Sequence, residues 1–381
     1  SRTNPNRGKK LKVSTLNPEL LVKKAVQLDQ IEYVPSRKFN DMDLNSKLKS
    51  NIRHKGYSAP TQIQDECIEL LVKGKNLVGI AKTGTGKTAA FLIPIIEQLL
   101  RGGDNFQSLI VVPTRELALQ IQEEFKSISQ GLGIYAASFI GGTSISKDLM
   151  KLKKRNQIII GTPGRLIDLM NRGALKLRPM SVLVLDEFDR MLDMGFITDI
   201  RKLSKAMPQR RQTMLFSATI DKKQAHLIEE MVHDPIEVKV SDGSCASDSI
   251  NQDIIKVPQG ADKVQMLIDL ISGDEFNKVL IFAETKRLVD KVSKKLNMSG
   301  VLSDIIHGNK SQNYRVKALN KFKSGKVQVL VATDVAARGI DVDNVSHVIN
   351  YQLPLSIESY VHRIGRTGRA GKVGQAYTFI D

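Results

Sequence analysis

The chain is 381 residues long, enough for two domains, and carries 57 Lys/Arg against 40 Asp/Glu, a net charge of +17 that points to a polyanionic partner. Its two cysteines, Cys67 and Cys245, stand alone, without a C-x-x-C pair or a histidine at ligand spacing, which argues against a zinc site or disulfide framework and for a reducing, cytoplasmic location. No apolar run approaches the roughly 18 residues a membrane span needs, and no signal peptide opens the chain, so no membrane partner is expected.

In chain order, residues 1–38 come first, with nine Lys/Arg against three Asp/Glu. The opening SRTNPNRGKKLK reads as a basic arm too polar to fold alone. Behind it, NPELLVKKAVQL (17–28) has apolar residues at helical spacing and predicts a short appended helix. From residue 39 strand-like and helix-like runs alternate. Strands are predicted at NLVGIA (76–81), SLIVVP (108–113), QIIIGTP (157–163), VLVLD (182–186) and QTMLFSAT (212–219). Between them KTAAFLIPIIEQLL and RELALQIQEEF follow the helical period. Continuous Val/Ile/Leu runs bounded by turns suit strands buried on both faces, hence an α/β fold with a parallel sheet flanked by helices. The Ser/Asp-rich stretch at 241–250 breaks the rhythm and reads as a flexible linker. Strand-like runs resume at KVLIFAET (278–285), SDIIHG (303–308), VQVLVATD (327–334) and HVINYQLP (347–354). The expected organisation is an arm at 1–38, an α/β domain at 39–240, a linker at 241–250 and a second α/β domain at 251–381.

Two stretches carry chemistry. In AKTGTGKT (81–88), Gly84 and Gly86 let the backbone curl so that its N–H groups face an anion at a helix N-terminus. Lys87 would reach the β- and γ-phosphates and the Thr88 hydroxyl would coordinate Mg²⁺, with Ala81 standing where the strict phosphate-loop pattern asks for Gly. In VLVLDEFDRML (182–192), a buried strand ends in Asp186, Glu187 and Asp189. Crowded carboxylates raise one another's pKa unless they splay into water or a cation compensates them. Strand C-termini of an open parallel sheet share one rim, where ligands bind. The missing cation is therefore expected to be Mg²⁺ carrying a nucleotide, with Asp186 holding the metal and Glu187 polarising the attacking water.

With these motifs in place, the chain resembles the DEAD-box family of ATP-dependent RNA helicases, from about Phe39 to Asp381. The resemblance implies two tandem RecA-like domains, the cofactors ATP and Mg²⁺, and RNA held by sequence-nonspecific backbone contacts. GYSAPTQIQ (56–64) resembles the Q motif, which implies that Gln64 reads the adenine edge and that Phe39, upstream of it, stacks on the ring. AKTGTGKT has the family's own form of motif I, bringing Ala81, Thr83, Gly84, Thr85 and Gly86 to the nucleotide beside Lys87 and Thr88. PTREL (Pro113, Thr114, Arg115), Gly141-Gly142 and TPGR (Thr162, Gly164, Arg165) resemble RNA-backbone motifs, as do Gln312, Arg315 and Thr333 later in the chain. SAT (Ser217 to Thr219) would couple to Asp189, LIFAET (280–285) resembles motif IV, and His362 would link the nucleotide and RNA sites. VATDVAARGID places Asp341 on the ribose, and HRIGRTGR supplies Arg366 and Arg369 as catalytic arginines. RMLDMGF and LPLSIESYVHRIGRTGRAG look most like the bacterial RhlE-type branch, and the core is expected to be monomeric.

The residues support RNA binding without the family. Trp is absent and aromatics make up 5% of the chain, so a base-stacking platform is disfavoured. Backbone N–H groups, threonine hydroxyls and arginines grip phosphates instead. The name-giving box departs from the family as DEFD; Phe188 follows Glu187 in sequence and should point into packing, away from the nucleotide. Two other readings stay open here, an RNA clamp with a vestigial ATPase and a DNA-translocating enzyme.

Overall fold

The computed structural model describes residues 16–25, 33–82, 84–102, 107–240, 249–337, 345–368 and 373–381. The chain forms two compact units, one of residues 31–242, the other of 243–381 together with the N-terminal segment up to residue 30.

The first unit is built on seven parallel strands, β1 (Leu77–Ile80), β2 (Ser108–Val111), β3 (Ala136–Phe139), β4 (Ile158–Gly161), β5 (Val182–Leu185), β6 (Gln212–Ser217) and β7 (Ile236–Lys239). Their order across the sheet is β3-β4-β2-β5-β6-β1-β7, and every pairing is parallel. Successive residues of a strand face opposite sides. Val182 and Val184 accordingly join one apolar cluster and Leu183 and Leu185 the other, so the sheet is covered on both faces. The second unit repeats the plan with six strands, β8 (Ile250–Lys256), β9 (Val279–Phe282), β10 (Ser303–Ile306), β11 (Val329–Ala332), β12 (His347–Asn350) and β13 (Gly374–Ile380), in the parallel order β10-β11-β9-β12-β13-β8. Val279 and Ile281 face one cluster there, Leu280 and Phe282 the other. Among the described residues no helix is long and apolar enough to cross a membrane.

Each predicted strand is present, shortened where its last residues turn out onto the rim. Four further strands, β3, β7, β8 and β13, were not foreseen; β7 and β8 lie at sheet edges, where polar residues interrupt the apolar run. The appended helix is a correction. Of residues 17–25, the described part of that stretch, only Pro18–Leu21 coil, into a single 3₁₀ turn capped by Asn17, whose side chain accepts from the Glu19 amide at 3.1 Å. Val22 is then extended and Lys23 pairs with strand β8. Backbone hydrogen bonding to an open sheet edge outweighs the propensity of so short a helix. The arm expected at 1–38 is likewise divided: residues 16–25 pack on the second unit and residues 33–38 belong to the first. Most of the expected linker, residues 241–248, lies outside the described residues.

Candidate nucleotide and RNA site

Strand β1 feeds the phosphate loop, which turns through Gly84 at φ 87° and Gly86 at φ 92° and enters helix Lys87–Gly102. Only glycine adopts such angles without strain. A Cβ on Gly86 would also lie 2.4 Å from the Gln64 amide nitrogen, because Gln64 is laid over the loop. Gln64 Nε2 donates to the Gly86 carbonyl at 3.1 Å, and its Oε1 accepts from the Thr61 amide at 3.0 Å in a capping box on helix Gln62–Val72. Thr61 Oγ1 donates to the Thr85 carbonyl at 2.8 Å. The amide expected to read adenine thus fastens the loop to that helix in this state. Lys87 is buried and arches back, its Nζ donating to the Ala81 carbonyl at 2.5 Å, with Thr88 half-buried beside it. Phe39 departs from an open stacking platform: it is 4% exposed and stacks on Tyr57 with ring centroids 6.4 Å apart. Thr83, Asp341 and Arg369 lie outside the described residues.

At the end of β5 the Asp186 carboxylate is 2% exposed and accepts the Glu187 amide at 2.9 Å. Burial pushes its carboxyl up to about 7, against the pull of Lys87 and with help from Glu187 and Asp189. A buried carboxylate short of compensating charge, close to Lys87 of the phosphate loop, is an oxygen donor that fits Mg²⁺, which takes one or two protein ligands and keeps waters and phosphates. Glu187 sits in the left-handed region at φ 53°, ψ 52°, rare for a residue with a side chain and common at functional turns. Its carboxylate pairs with Arg190 one turn on, both side chains buried. Sequence reasoning passed over Arg190, although its i,i+3 spacing from Glu187 is the signal that would have found it. Phe188 is fully buried in the apolar cluster beneath the rim, as its place after Glu187 predicts.

Ser217 ties these pieces together. Its carbonyl accepts from the Ala81 amide at 3.0 Å, its hydroxyl accepts from the Asp189 amide at 3.3 Å and donates to the Thr219 carbonyl at 2.6 Å. The phosphate loop, the DEFD turn and the SAT turn are therefore mutually bonded.

The three RNA-motif loops follow β2, β3 and β4, which lie side by side. Pro113 and Thr114 are buried, and Thr114 Oγ1 caps helix Arg115–Ile128 by accepting from the Leu117 amide at 3.3 Å. That leaves the hydroxyl proton for another acceptor. The Arg115 guanidinium lies across Gly141 and Gly142, so that a Cβ on Gly142 (φ 78°) would come within 2.4 Å of it. Thr162 stands at the N-cap position of helix Pro163–Asn171 without a side-chain cap bond, and Gly164 in its first turn opens onto free space. Arg165 corrects the expectation. Rather than a free phosphate donor, it is an internal clamp with a side chain 9% exposed. Its Nε donates to the Ile140 carbonyl at 3.0 Å, its Nη2 donates to the carbonyl and hydroxyl of Thr143, and Asp148 stands 3.4 Å away. Its donors are spent holding the Gly141-Gly142 turn.

In the second unit, Thr333 ends β11 and is 8% exposed, while Gln312 opens helix Gln312–Lys323 with Arg315 three residues on. His362 is half-buried in the last turn of helix Ile357–Ile364, and Arg366 follows in the turn after it. The residue that organises this corner, Arg363, was missed. It is 3% exposed and grips Asp334 bidentately at 2.6 and 2.7 Å. It also donates to Asn350 at 3.1 Å and to the Gln352 carbonyl at 3.2 Å, and lies over the Phe282 ring. Such bidentate pairs fix geometry as well as charge.

Comparison with known proteins agrees with this geometry. Residues 61–228 match the DEAD/DEAH box helicase family and residues 262–371 the helicase conserved C-terminal domain. The chain is 44% identical over 344 residues to the ATP-dependent RNA helicase CshA of Listeria monocytogenes, covering 90% of this chain and 66% of that protein. It is 43% identical over 342 residues to the DEAD-box ATP-dependent RNA helicase CshA of Bacillus subtilis, covering 90% and 69%. The chain belongs to the DEAD-box ATP-dependent RNA helicases. It spans about two thirds of the length of these curated relatives. Among solved structures, S. cerevisiae Dbp5 L327V bound to RNA and ADP BeF3 is similar at TM-score 0.80 and 30% identity, covering 91% of this chain and 90% of that one. Mss116p bound to ssRNA and AMP-PNP is similar at TM-score 0.79 and 31% identity, covering 91% and 76%. The two parallel-sheet units are thus the two RecA-like domains of the family.

Proposed function

We propose that this DEAD-box core couples ATP binding and hydrolysis to local RNA strand separation or RNP remodelling. The observation that supports it is the order of the first sheet. Read along the strand C-termini, β3, β4 and β2 carry the loops assigned to RNA phosphates, and β5, β6 and β1 carry the acidic turn, the SAT turn and the phosphate loop. One rim thus holds an RNA half and a nucleotide half, joined where β2 pairs with β5.

In this reading the loop amides and Lys87 receive the phosphates, Lys87 giving up its bond to Ala81. Asp186 and Thr88 would hold Mg²⁺, which neutralises charge building on the phosphates. Glu187 orients the attacking water, and Arg190 is a positioning residue that fixes the Glu187 carboxylate. Ser217 passes displacement of the phosphate loop to Asp189 and Thr219. Thr114, Arg115, Gly141, Gly142, Thr162 and Gly164 grip RNA phosphates, joined from the second unit by Thr333, Gln312 and Arg315. Such contacts carry no base information, and discrimination against DNA would come through the 2′-OH. A cytoplasmic, monomeric core suits the reading. Placement in the RhlE-type branch rests on RMLDMGF and LPLSIESYVHRIGRTGRAG, whereas the relatives named above are CshA-type.

The test is steady-state ATP hydrolysis alone, with RNA, and with DNA of equal length. Stimulation by RNA and not by DNA is expected. Glu187→Gln should retain ATP and RNA binding while hydrolysis falls about 100-fold or more, and Lys87→Ala should weaken nucleotide binding itself. Hydrolysis unchanged in Glu187→Gln would remove that residue from the chemistry, and equal stimulation by DNA would favour a DNA-translocating enzyme.

A further inference from the structure

Strand β8 is the outermost strand of the second sheet, and its free edge is occupied by the chain's own N-terminal segment. The Lys23 amide donates to the Gln252 carbonyl at 3.0 Å and the Gln252 amide to the Lys23 carbonyl at 2.7 Å, an antiparallel bridge. The Ala25 amide adds a bond to Asn251 Oδ1 at 2.8 Å. Leu21 is 3% exposed in an apolar cluster with Ile250, Tyr360, Ile364 and Ala376. The Tyr360 hydroxyl lies 3.0 Å from Gln252 Oε1 and 3.5 Å from the Leu21 carbonyl. A few residues on, the chain is fastened to the other unit. The Tyr33 hydroxyl and the Ser36 amide donate to Asp65 Oδ2 at 2.7 and 2.6 Å, and Arg37 pairs with Oδ1 at 3.1 Å.

We infer that the outer edge of β8 is a docking surface for residues 21–25, and that this docking gives the two units a second covalent connection, beside the one at 241–248. An unpaired edge accepts an extended segment by main-chain bonding, and an apolar side chain seated alongside it sets the register. Between Ala25 and Tyr33 the chain makes eight Cα steps, which reach at most about 29 Å. A short second tether raises the effective concentration of each half for the other and so favours any state in which both bind one ligand. The matched family regions begin at residue 61, so neither contains this segment.

The full chain tests this with one dye on each unit and three variants: Leu21→Asp, deletion of residues 1–25, and a twelve-residue Gly/Ser insertion after position 28. The ligand-free distance distribution is expected to broaden toward longer separations in all three, with the RNA concentration for half-maximal ATPase rising several-fold and the saturated rate unchanged. The insertion leaves the docked residues intact, so a misfolded variant cannot mimic it. The distance arm requires no RNA-dependent activity and so fails independently of the helicase reading. Wild-type distributions in all three variants would overturn the inference, as would tighter RNA response after deletion. Amides of Lys23 and Gln252 exchanging as fast as free amides in the full chain would overturn it too.

Discussion

At Phe188 the box exchanges a methyl for a benzyl group, and the structure shows where the ring goes. It is fully buried in the cluster that also holds Leu185, Met191, Leu203 and Leu215. Truncation should leave a cavity that neighbours on a covered sheet cannot close, so Phe188→Ala is expected to lose about 3–5 kcal/mol. Urea unfolding at constant m-value reads this directly, and a loss under about 1 kcal/mol would mean the ring is not packed as described. Arg190 makes the complementary case. With Glu187 held in the left-handed region, the carboxylate direction depends on its partner one turn away. Arg190→Ala should lower kcat about 10- to 100-fold, the scale of a misplaced catalytic group, with little change in KM for ATP. Arg190→Lys should recover part of that loss; equal loss in both variants would make the pair merely structural. That Lys87, Asp186 and Glu187 come together was legible in the sequence, because both motifs follow buried strands of one parallel sheet. The internal bonds of Arg165 were not foreseen and Arg363 was passed over, because a string of letters does not show whether a guanidinium faces a ligand or its own fold's carbonyls.

At the scale of elements, continuous apolar runs made most strands legible, and the edge strands β7 and β8 escaped because polar residues interrupt their apolar runs. The N-terminal segment escaped for a different reason. Its helical spacing is real, but its hydrogen bonds go to β8, an element more than two hundred residues away in sequence. Local periodicity carries no information about such a partner. The second fastening, at Asp65, has a pH signature. Burial alone would raise this carboxyl, but hydrogen bonds from Tyr33 and Ser36 and the charge of Arg37 hold it below the ordinary carboxylate range. A depressed carboxylate contributes stability that is present above its unfolded pKa, about 3.9, and is lost as pH falls through the lower folded value. The 33–37 segment should therefore stay fastened from neutral pH down to about 4 and release below it. Asp65→Asn should release it at pH 7. Exchange of the Ser36 amide monitors both, and protection that survives either treatment would move the anchor elsewhere.

For the whole molecule, the proposed mechanism divides the catalytic charges between the two units. Hydrolysis needs positive charge where it develops on the γ-phosphate. The first unit offers Lys87 and the metal that Asp186 and Thr88 would hold, while Arg190 is paired with Glu187 and Arg165 is bonded within its own loop. The family resemblance assigns the remaining charge to Arg366 and Arg369, which belong to the second unit. Arginines in such roles contribute about 10³–10⁵ in rate in comparable phosphoryl-transfer sites. Arg366→Ala is thus expected to keep ATP affinity near normal while RNA-stimulated hydrolysis falls by about that factor. Arg363→Ala should fail differently. It removes the grip on Asp334 and Asn350 inside the second unit, so it should lower that unit's own unfolding temperature as well as its activity. Stability therefore separates the two arginines, with the larger loss expected in Arg363→Ala. Residues 31–242 expressed alone, a compact unit with its own two-faced core, should bind nucleotide and fail to hydrolyse it at the stimulated rate. Full hydrolysis by that unit would show that its rim suffices, and the assignment of catalytic charge to the second unit would have to be withdrawn.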